Sequence, residues 1–323
     1  MEIRVRDVAW PNKGDIDPFR RLDVAVLDGL IKRCVASVTS SLKGPTGRYS
    51  ELQTVHLGWM FEAMGFTYAT IRSLLTQGIK TPACVDALAL ARLQLEALYS
   101  VCLMVQDPSF VDIYVKSFWR DNYVRFLLVR AECKGLSRFD AYLNHSGPGV
   151  LEVSRQASGV TNEEKATIEF EELGTPIPVG MNEVKIRPFP TPMKVIEKVT
   201  DPGRKRMLMR LYPEYRRLCA FAHGSPQAWM FKNAFWKRSR LRPHLSEPQL
   251  QDVFEKEVLD PALLHSALAV IQGTCEVATT LYPADVELKR SVIEAWNLLS
   301  EMSLLGRTIW EIRASSALGV IRP

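Results

Sequence analysis

The chain has 323 residues, 47% of them hydrophobic and 24% charged, with a formal net charge of +5. That hydrophobic share excludes wholesale disorder, and the length suits one large helical domain or one domain carrying an insertion. The mild net charge does not by itself define a nucleic-acid binder.

The opening "MEIRVRDVAW" is charged and lacks the apolar centre of a signal peptide. Apolar residues then recur at three- and four-residue spacing through about 18–43, 49–77, 82–106 and 108–133, which predicts four helices. "GPTG" at 44–47 separates the first two. "QGIKTP" at 77–82 separates the next pair, with Thr81 as N-cap and Pro82 in the first helical position. "DPS" at 107–109 opens the fourth in the same way. The longest apolar stretch, near 90–105, is interrupted by Arg92 and Glu96, so the expectation is no membrane span, no membrane partner and a cytoplasmic location.

From about 134 to 200 the period weakens, with helical pieces at 148–157 and 161–173. "GTPIPVGMNEVKIRPFPTP" at 174–192 holds five prolines and two glycines, so it reads as an irregular connection of the kind that forms a lid or flap. Helices resume at about 193–199, 203–222, 226–237, 247–281 with a bend at Asp260-Pro261, 284–303 and 305–318. No strand series and no internal repeat is present. The predicted fold class is all-α: a multi-helix bundle, 1–323 as a single helical domain, with 134–200 an irregular, Pro-rich insertion or flap within it.

Six cysteines (Cys34, Cys84, Cys102, Cys133, Cys219 and Cys275) stand singly, most of them inside apolar helical patterns. They read as reduced thiols acting as small hydrophobes, in keeping with a cytoplasmic protein. The sequence has no H-E-x-x-H, no E-x-x-H, no P-loop, no dinucleotide glycine fingerprint and no G-x-S-x-G. The expectation is therefore no cofactor and no metal site.

Three groups of residues carry the functional argument. The first is Arg92 and Glu96, four apart on one face of "DALALARLQLEALYSVCLMV". An ion on a buried helix costs several kcal/mol unless it is paired, so these side chains are expected to form an internal ion pair or to reach another helix at a site. The second is "EYRRLCAFAHGSPQAW" at 214–229, with Pro213 expected to kink the preceding helix or start a new one. Arg216 and His223 are seven apart and share a face, whereas Arg217 and His223, six apart, are offset by roughly 120°. A purely structural role is also open to His223, because Gly224 suits a helix end and a last-turn histidine suits the dipole.

The third group is "WMFKNAFWKRSRLRPHL" at 229–245, where aromatics alternate with cations. Lys232, Trp236, Lys237, Arg238 and Arg240 suit single-stranded RNA, by base stacking and phosphate contact. Between 201 and 245 eleven Lys and Arg face only Asp201 and Glu214, a local +9 against −4 for the remainder. His56, His145, His244 and His265 are weaker candidates, His56 reading as a core residue.

Arg216-x6-His223, or Arg217-x5-His223, on a helix of an all-α protein resembles the R-x4-6-H motif of HEPN-domain ribonucleases. The resemblance implies a metal-independent endoribonuclease, a toxin or phage-defence effector, in which the histidine moves protons at the ribose 2′-OH and the arginine holds the scissile phosphate. It also implies two copies meeting to form one cleft. In this sequence Arg216 is followed by Arg217 and Arg217 by Leu218, where that family commonly has a small polar residue. "ALARLQLEAL" together with "YRRLCAFAHGS" is also similar to a bacterial all-α family with an R-x-x-x-E helix and a helix ending in H-G-S, a likeness that implies no activity. The expected partners are RNA, a second copy of the chain and a regulatory protein. The competing expectation is a non-enzymatic helical protein that binds RNA or an acidic partner through 201–245.

Overall fold

The computed structural model describes residues 24–173, 183–223, 225–235 and 246–319. These residues form helices and no strand; the nearest approach to β-structure is one isolated bridge between Thr46 and Tyr49 in the "GPTG" turn. The chain divides into two compact units. One comprises the described residues up to Gln106 and from Thr191 onward; the other is Asp107–Pro190. The predicted insertion at 134–200 is thus larger at its start and shorter at its end. The fourth predicted helix belongs to the inserted unit, because its apolar face carries Trp119, Tyr123, Phe126 and Leu127 into that unit's own core.

The first unit contains α1 (Val24–Ser41), α2 (Glu51–Thr76) and α3 (Asp86–Met104). Ser50 and Gln53 form a reciprocal capping box that starts α2. Thr81 accepts from the Ala83 N–H ahead of a short tight turn leading into α3, as its position before Pro82 predicts. After the inserted unit come α7 (Pro192–Lys198), α8 (Pro202–Ala222), α9 (Pro226–Phe235), α10 (Glu247–Phe254), α11 (Asp260–Thr280), α12 (Val286–Met302), α13 (Leu304–Ile309) and the short α14 (Ser315–Ala317). A widened helical turn at Glu255–Leu259 joins α10 to α11, where the sequence predicts a bend at Pro261.

Pro213 neither ends nor splits α8, which runs unbroken from Pro202 to Ala222. Pro213 and Met209 both lie on the exposed side, where solvent can satisfy the Met209 carbonyl that proline leaves without a donor.

α3 and α11 form the centre of this unit. Every residue of α11 from Pro261 to Ala278 is buried except the half-buried Leu264. α3 packs on α2, α7, α8 and α11. Side-chain hydrogen bonds lock the helices together: Tyr99 Oη donates to the Leu208 carbonyl at 2.7 Å, Tyr49 Oη to the Met104 carbonyl at 2.8 Å, and Gln94 Nε2 to the Met64 carbonyl at 2.6 Å. Among the described residues, Pro82–Met104 and Glu247–Thr280 are long and apolar enough to cross a membrane by length and composition, contrary to the sequence expectation. Their apolar windows are 67% and 78% buried inside the fold, as the core helices of a bundle are.

A buried ion cluster crosses this core. Glu276 on α11 is fully buried. It accepts from Arg204 Nε on α8 at 2.8 Å and from Arg313 Nε and Nη2, in the widened turn Trp310–Ala314, at 2.8 Å each. Gln272 Nε2 also donates to it at 2.8 Å, and Arg204 reaches Thr280 Oγ1 at 3.0 Å. Asp201, the N-cap of α8, lies 3.2 Å from Arg313 Nη1. Burial alone would raise the Glu276 carboxyl; the two guanidinium groups overcome it and hold the carboxyl below its ordinary range.

The second unit consists of α4 (Ser109–Glu132), α5 (Gly147–Ala157) and α6 (Asn162–Leu173). Trp119 Nε1 donates to the Leu151 carbonyl at 3.0 Å, and Thr161 with Glu164 forms a capping box at the start of α6. A Cβ at Gly147 would stand 2.7 Å from the Tyr142 carbonyl oxygen and 2.8 Å from the Phe126 ring, so only glycine fits that approach. Of the Pro-rich connection, 174–182 lies outside the described residues. The part from 183 is strapped to its own unit rather than standing off as a flap: Val184 N donates to Thr167 Oγ1, Phe189 N to Ser117 Oγ, and Ile186 is buried.

Replacing Glu276 with Gln leaves the buried Arg204 guanidinium without its counter-charge and Arg313 with only the half-buried Asp201, and is expected to lower stability by about 3–5 kcal/mol. Breaking the exposed Arg290–Glu287 pair by Arg290→Gln should change it by less than about 0.5 kcal/mol. Urea unfolding of the two variants beside wild type measures the difference.

Candidate functional site

α8 is anchored at both ends and on one side. Asp201 caps its start, accepting from the Arg204 N–H at 2.6 Å, and Leu208, Leu211, Leu218 and Phe221 bury its inner face. The outer face carries the cations. Arg206, Arg210 and Arg216 are exposed, Lys205 is half-buried, and among the described residues none of the four forms a side-chain ion pair.

Beside this face an open groove of about 530 Å³ is lined by Thr191, Pro192 and Met193 at the start of α7 and by Tyr212, Tyr215, Arg216, Cys219, Ala220 and His223 of α8. The two-turn spacing therefore delivers Arg216 and His223 to one groove. His223 is the residue at which α8 ends, its N–H still donating to the Cys219 carbonyl at 3.2 Å.

Arg217 goes elsewhere. Its Nε donates to Glu214 Oε2 at 3.1 Å, and the same carboxylate oxygen lies 3.4 Å from Nε2 of His265, a buried residue of α11. His265 and Arg217 together hold the Glu214 carboxyl down to about 2, against a burial contribution that acts to raise it. The sequence leaves Arg216 and Arg217 as alternatives; the structure assigns the groove to Arg216. His265, unremarkable in the sequence, is a buried link between α8 and α11.

Arg92 and Glu96 combine both expectations. Arg92 Nη2 lies 3.0 Å from Glu96 Oε2 and donates to Tyr215 Oη at 3.2 Å, with the guanidinium 5.5 Å from the Tyr215 ring centroid. Burial pulls the Arg92 guanidinium down, but hydrogen bonds to Tyr215 and Cys219 and the Glu96 charge more than offset it. The pair thus holds Tyr215, a groove residue, from behind. Among the described residues Glu96 pairs with Arg92 and makes no hydrogen bond or ion pair with His223 or Arg216.

The aromatic-cation stretch is placed in part. Lys232, expected at phosphate, forms a 2.6 Å ion pair with Asp86 at the start of α3. Phe235 is fully buried against Phe254 and cannot stack on a base. Trp229 is 58% exposed and remains available. Trp236, Lys237, Arg238 and Arg240, with Gly224 and His244, lie outside the described residues.

Burial pushes the thiols of Cys102 and Cys275 well above their ordinary value, as befits core residues, and all six cysteines are unbridged. Among the described residues no three His, Cys, Asp or Glu side chains gather as metal ligands would. No protein-family model, curated protein or solved structure matches the chain.

Glu214 makes a pH-dependent contribution. Its folded value, about 2, lies below the ordinary 4.5, so its stabilisation is complete above about pH 4.5 and is lost as pH falls toward 2. Glu214→Gln is expected to cost about 1–2 kcal/mol at pH 7, the gap to wild type narrowing by pH 3. Denaturant unfolding at the two pH values checks it; an equal gap at both would show that the contact is not ionic.

Proposed function

We propose that the chain is a HEPN-like, metal-independent endoribonuclease whose groove on α8 receives a single-stranded RNA. The observation that carries the reading is the convergence of Arg216 and His223 on one open groove, while Arg217 is tied to Glu214. Seven residues put about 10 Å of helix axis between them, a span that one ribose-phosphate linkage and two side chains can bridge.

Arg216 is a permanent cation with a fork of donors suited to two phosphate oxygens. His223 can take the proton from the ribose 2′-OH as that oxygen attacks phosphorus. The P–O5′ bond breaks, the leaving O5′ is protonated by water, and the products are a 2′,3′-cyclic phosphate and a 5′-OH end. Tyr212 and Tyr215 line the same groove, and Arg92 and Glu96 support the latter. A cytoplasmic toxin or phage-defence effector is the corresponding role, and a regulatory protein partner would then restrain it.

A second reading is favoured by Lys205, Arg206, Arg210 and Arg216 on α8, which form no ion pair among the described residues. In it the basic 201–245 face binds RNA or an acidic protein without cleaving, and His223 only ends a helix.

Purified protein incubated with a mixed-sequence RNA in EDTA separates the readings. The nuclease reading expects cleavage with 2′,3′-cyclic ends by wild type, loss of at least about 100-fold in His223→Ala and Arg216→Ala, and near wild-type rates in Arg217→Ala. Binding without cleavage, unchanged by His223→Ala, would establish the second reading instead.

A further inference from the structure

Three tyrosine rings run in a row from the core to the groove on α8. Tyr99 of α3 is fully buried, and its hydroxyl is fixed to the Leu208 carbonyl. Tyr215 is buried beside it, the ring centroids 5.9 Å apart, and its hydroxyl accepts from Arg92. Tyr212 comes last. Its ring centroid lies 6.0 Å from that of Tyr215 at an interplanar angle of 30°, and the side chain is half-buried in the groove wall. A ring braced in this way has little rotamer freedom left to lose when a ligand stacks on it.

Tyr212, Arg216 and His223 form one stripe along α8. Offsets of four and eleven residues return the helix to within about 40° of its starting direction, so all three side chains leave from the same face. Along the axis Tyr212 stands about 6 Å from Arg216 on one side, and His223 about 10 Å from it on the other. All three line the groove, and Met193, 46% exposed, gives it an apolar wall on α7. A braced aromatic ring one turn from a permanent cation fits a ligand that joins a flat base to an anion, which is the chemistry of a nucleotide.

We propose that Tyr212 is the stacking platform for the base of the nucleotide 3′ to the scissile phosphate. The assignment rests on the nuclease reading of the groove and gives the bound strand a direction. With Arg216 on the scissile phosphate and His223 on the attacking 2′-OH, the ribose that carries this hydroxyl, 5′ to the phosphate, lies on the His223 side. The nucleotide after the phosphate then lies on the Tyr212 side, its base about one helical turn from its own 5′ phosphate. The strand therefore runs 5′ to 3′ from His223 towards Tyr212, antiparallel to α8. Stacking reads no hydrogen-bond pattern, so the site requires a base at this position without requiring a particular one.

An all-RNA oligonucleotide with one abasic residue, placed 3′ or 5′ of a bond that wild type cleaves, tests the proposal on the full chain in EDTA. Loss of the 3′ base is expected to slow cleavage of that bond by about 10-fold, and loss of the 5′ base to change it by less than about 2-fold. Tyr212→Ala and Tyr212→Leu should lose the same factor of about 10 on the intact oligonucleotide and become indifferent to the missing 3′ base, whereas Tyr212→Phe should behave as wild type. That non-additivity is one a merely structural tyrosine would not produce, and the abasic comparison on wild type stays decisive if a Tyr212 variant fails to fold. Cleavage that ignores the 3′ base, or depends on the 5′ base instead, overturns the platform and leaves the nuclease reading standing. No cleavage of the intact oligonucleotide by wild type overturns the nuclease reading and the platform with it.

Discussion

One carboxylate organises the larger unit. Glu276 sits fully buried on α11 and is held by guanidinium groups from two other places in the chain, Arg204 on α8 and Arg313 near the end of the described residues. A buried acid with one cation would still leave acceptor capacity unmet; two cations, Gln272 and the flanking Asp201 complete the set and bring the cluster near neutrality. Apolar packing alone would allow α8 to rotate or slide on α3. The clamp fixes its azimuth at the Arg204 end, and Tyr99 reaching the Leu208 carbonyl fixes it again a turn later.

That azimuth decides what α8 presents. With Leu208, Leu211, Leu218 and Phe221 turned inward, Arg216 and His223 come to the groove and Arg217 is carried round to Glu214. The link from Arg217 through Glu214 to His265 then holds the far end of α8 to α11, as Glu276 holds the near end. The groove is accordingly built on a helix secured at both ends, which is how a rigid site is kept in register.

Helix positions were legible because the hydrophobic period, the Thr81-Pro82 cap and the Ser-Pro start at 225–226 act locally. At Pro213 the alternative of a new helix start does not occur, because the proline sits on the exposed side and α8 continues through it. The same local logic misjudged the inserted unit, since which core receives Trp119 and Phe126 is a matter of long-range packing that spacing does not carry. Arg216 and His223 sharing a face followed from helical geometry. The choice against Arg217 did not, because it rests on His265, about fifty residues away in the chain. Glu276 did leave a signal: an isolated acid in the apolar run "VIQGTCEVAT" must have cations from elsewhere, the same reasoning that drew attention to Arg92 and Glu96.

The proposed RNA contact is assigned to the face of α8 that bears Arg216. It is tested most directly by the salt dependence of single-stranded RNA binding to wild type, Arg216→Gln and Arg217→Gln. Removing a cation that contacts phosphate lowers the slope of log affinity against log salt by about 0.7. The account expects that loss in Arg216→Gln and an unchanged slope in Arg217→Gln. The reverse pattern, or equal slopes in all three proteins, would contradict it.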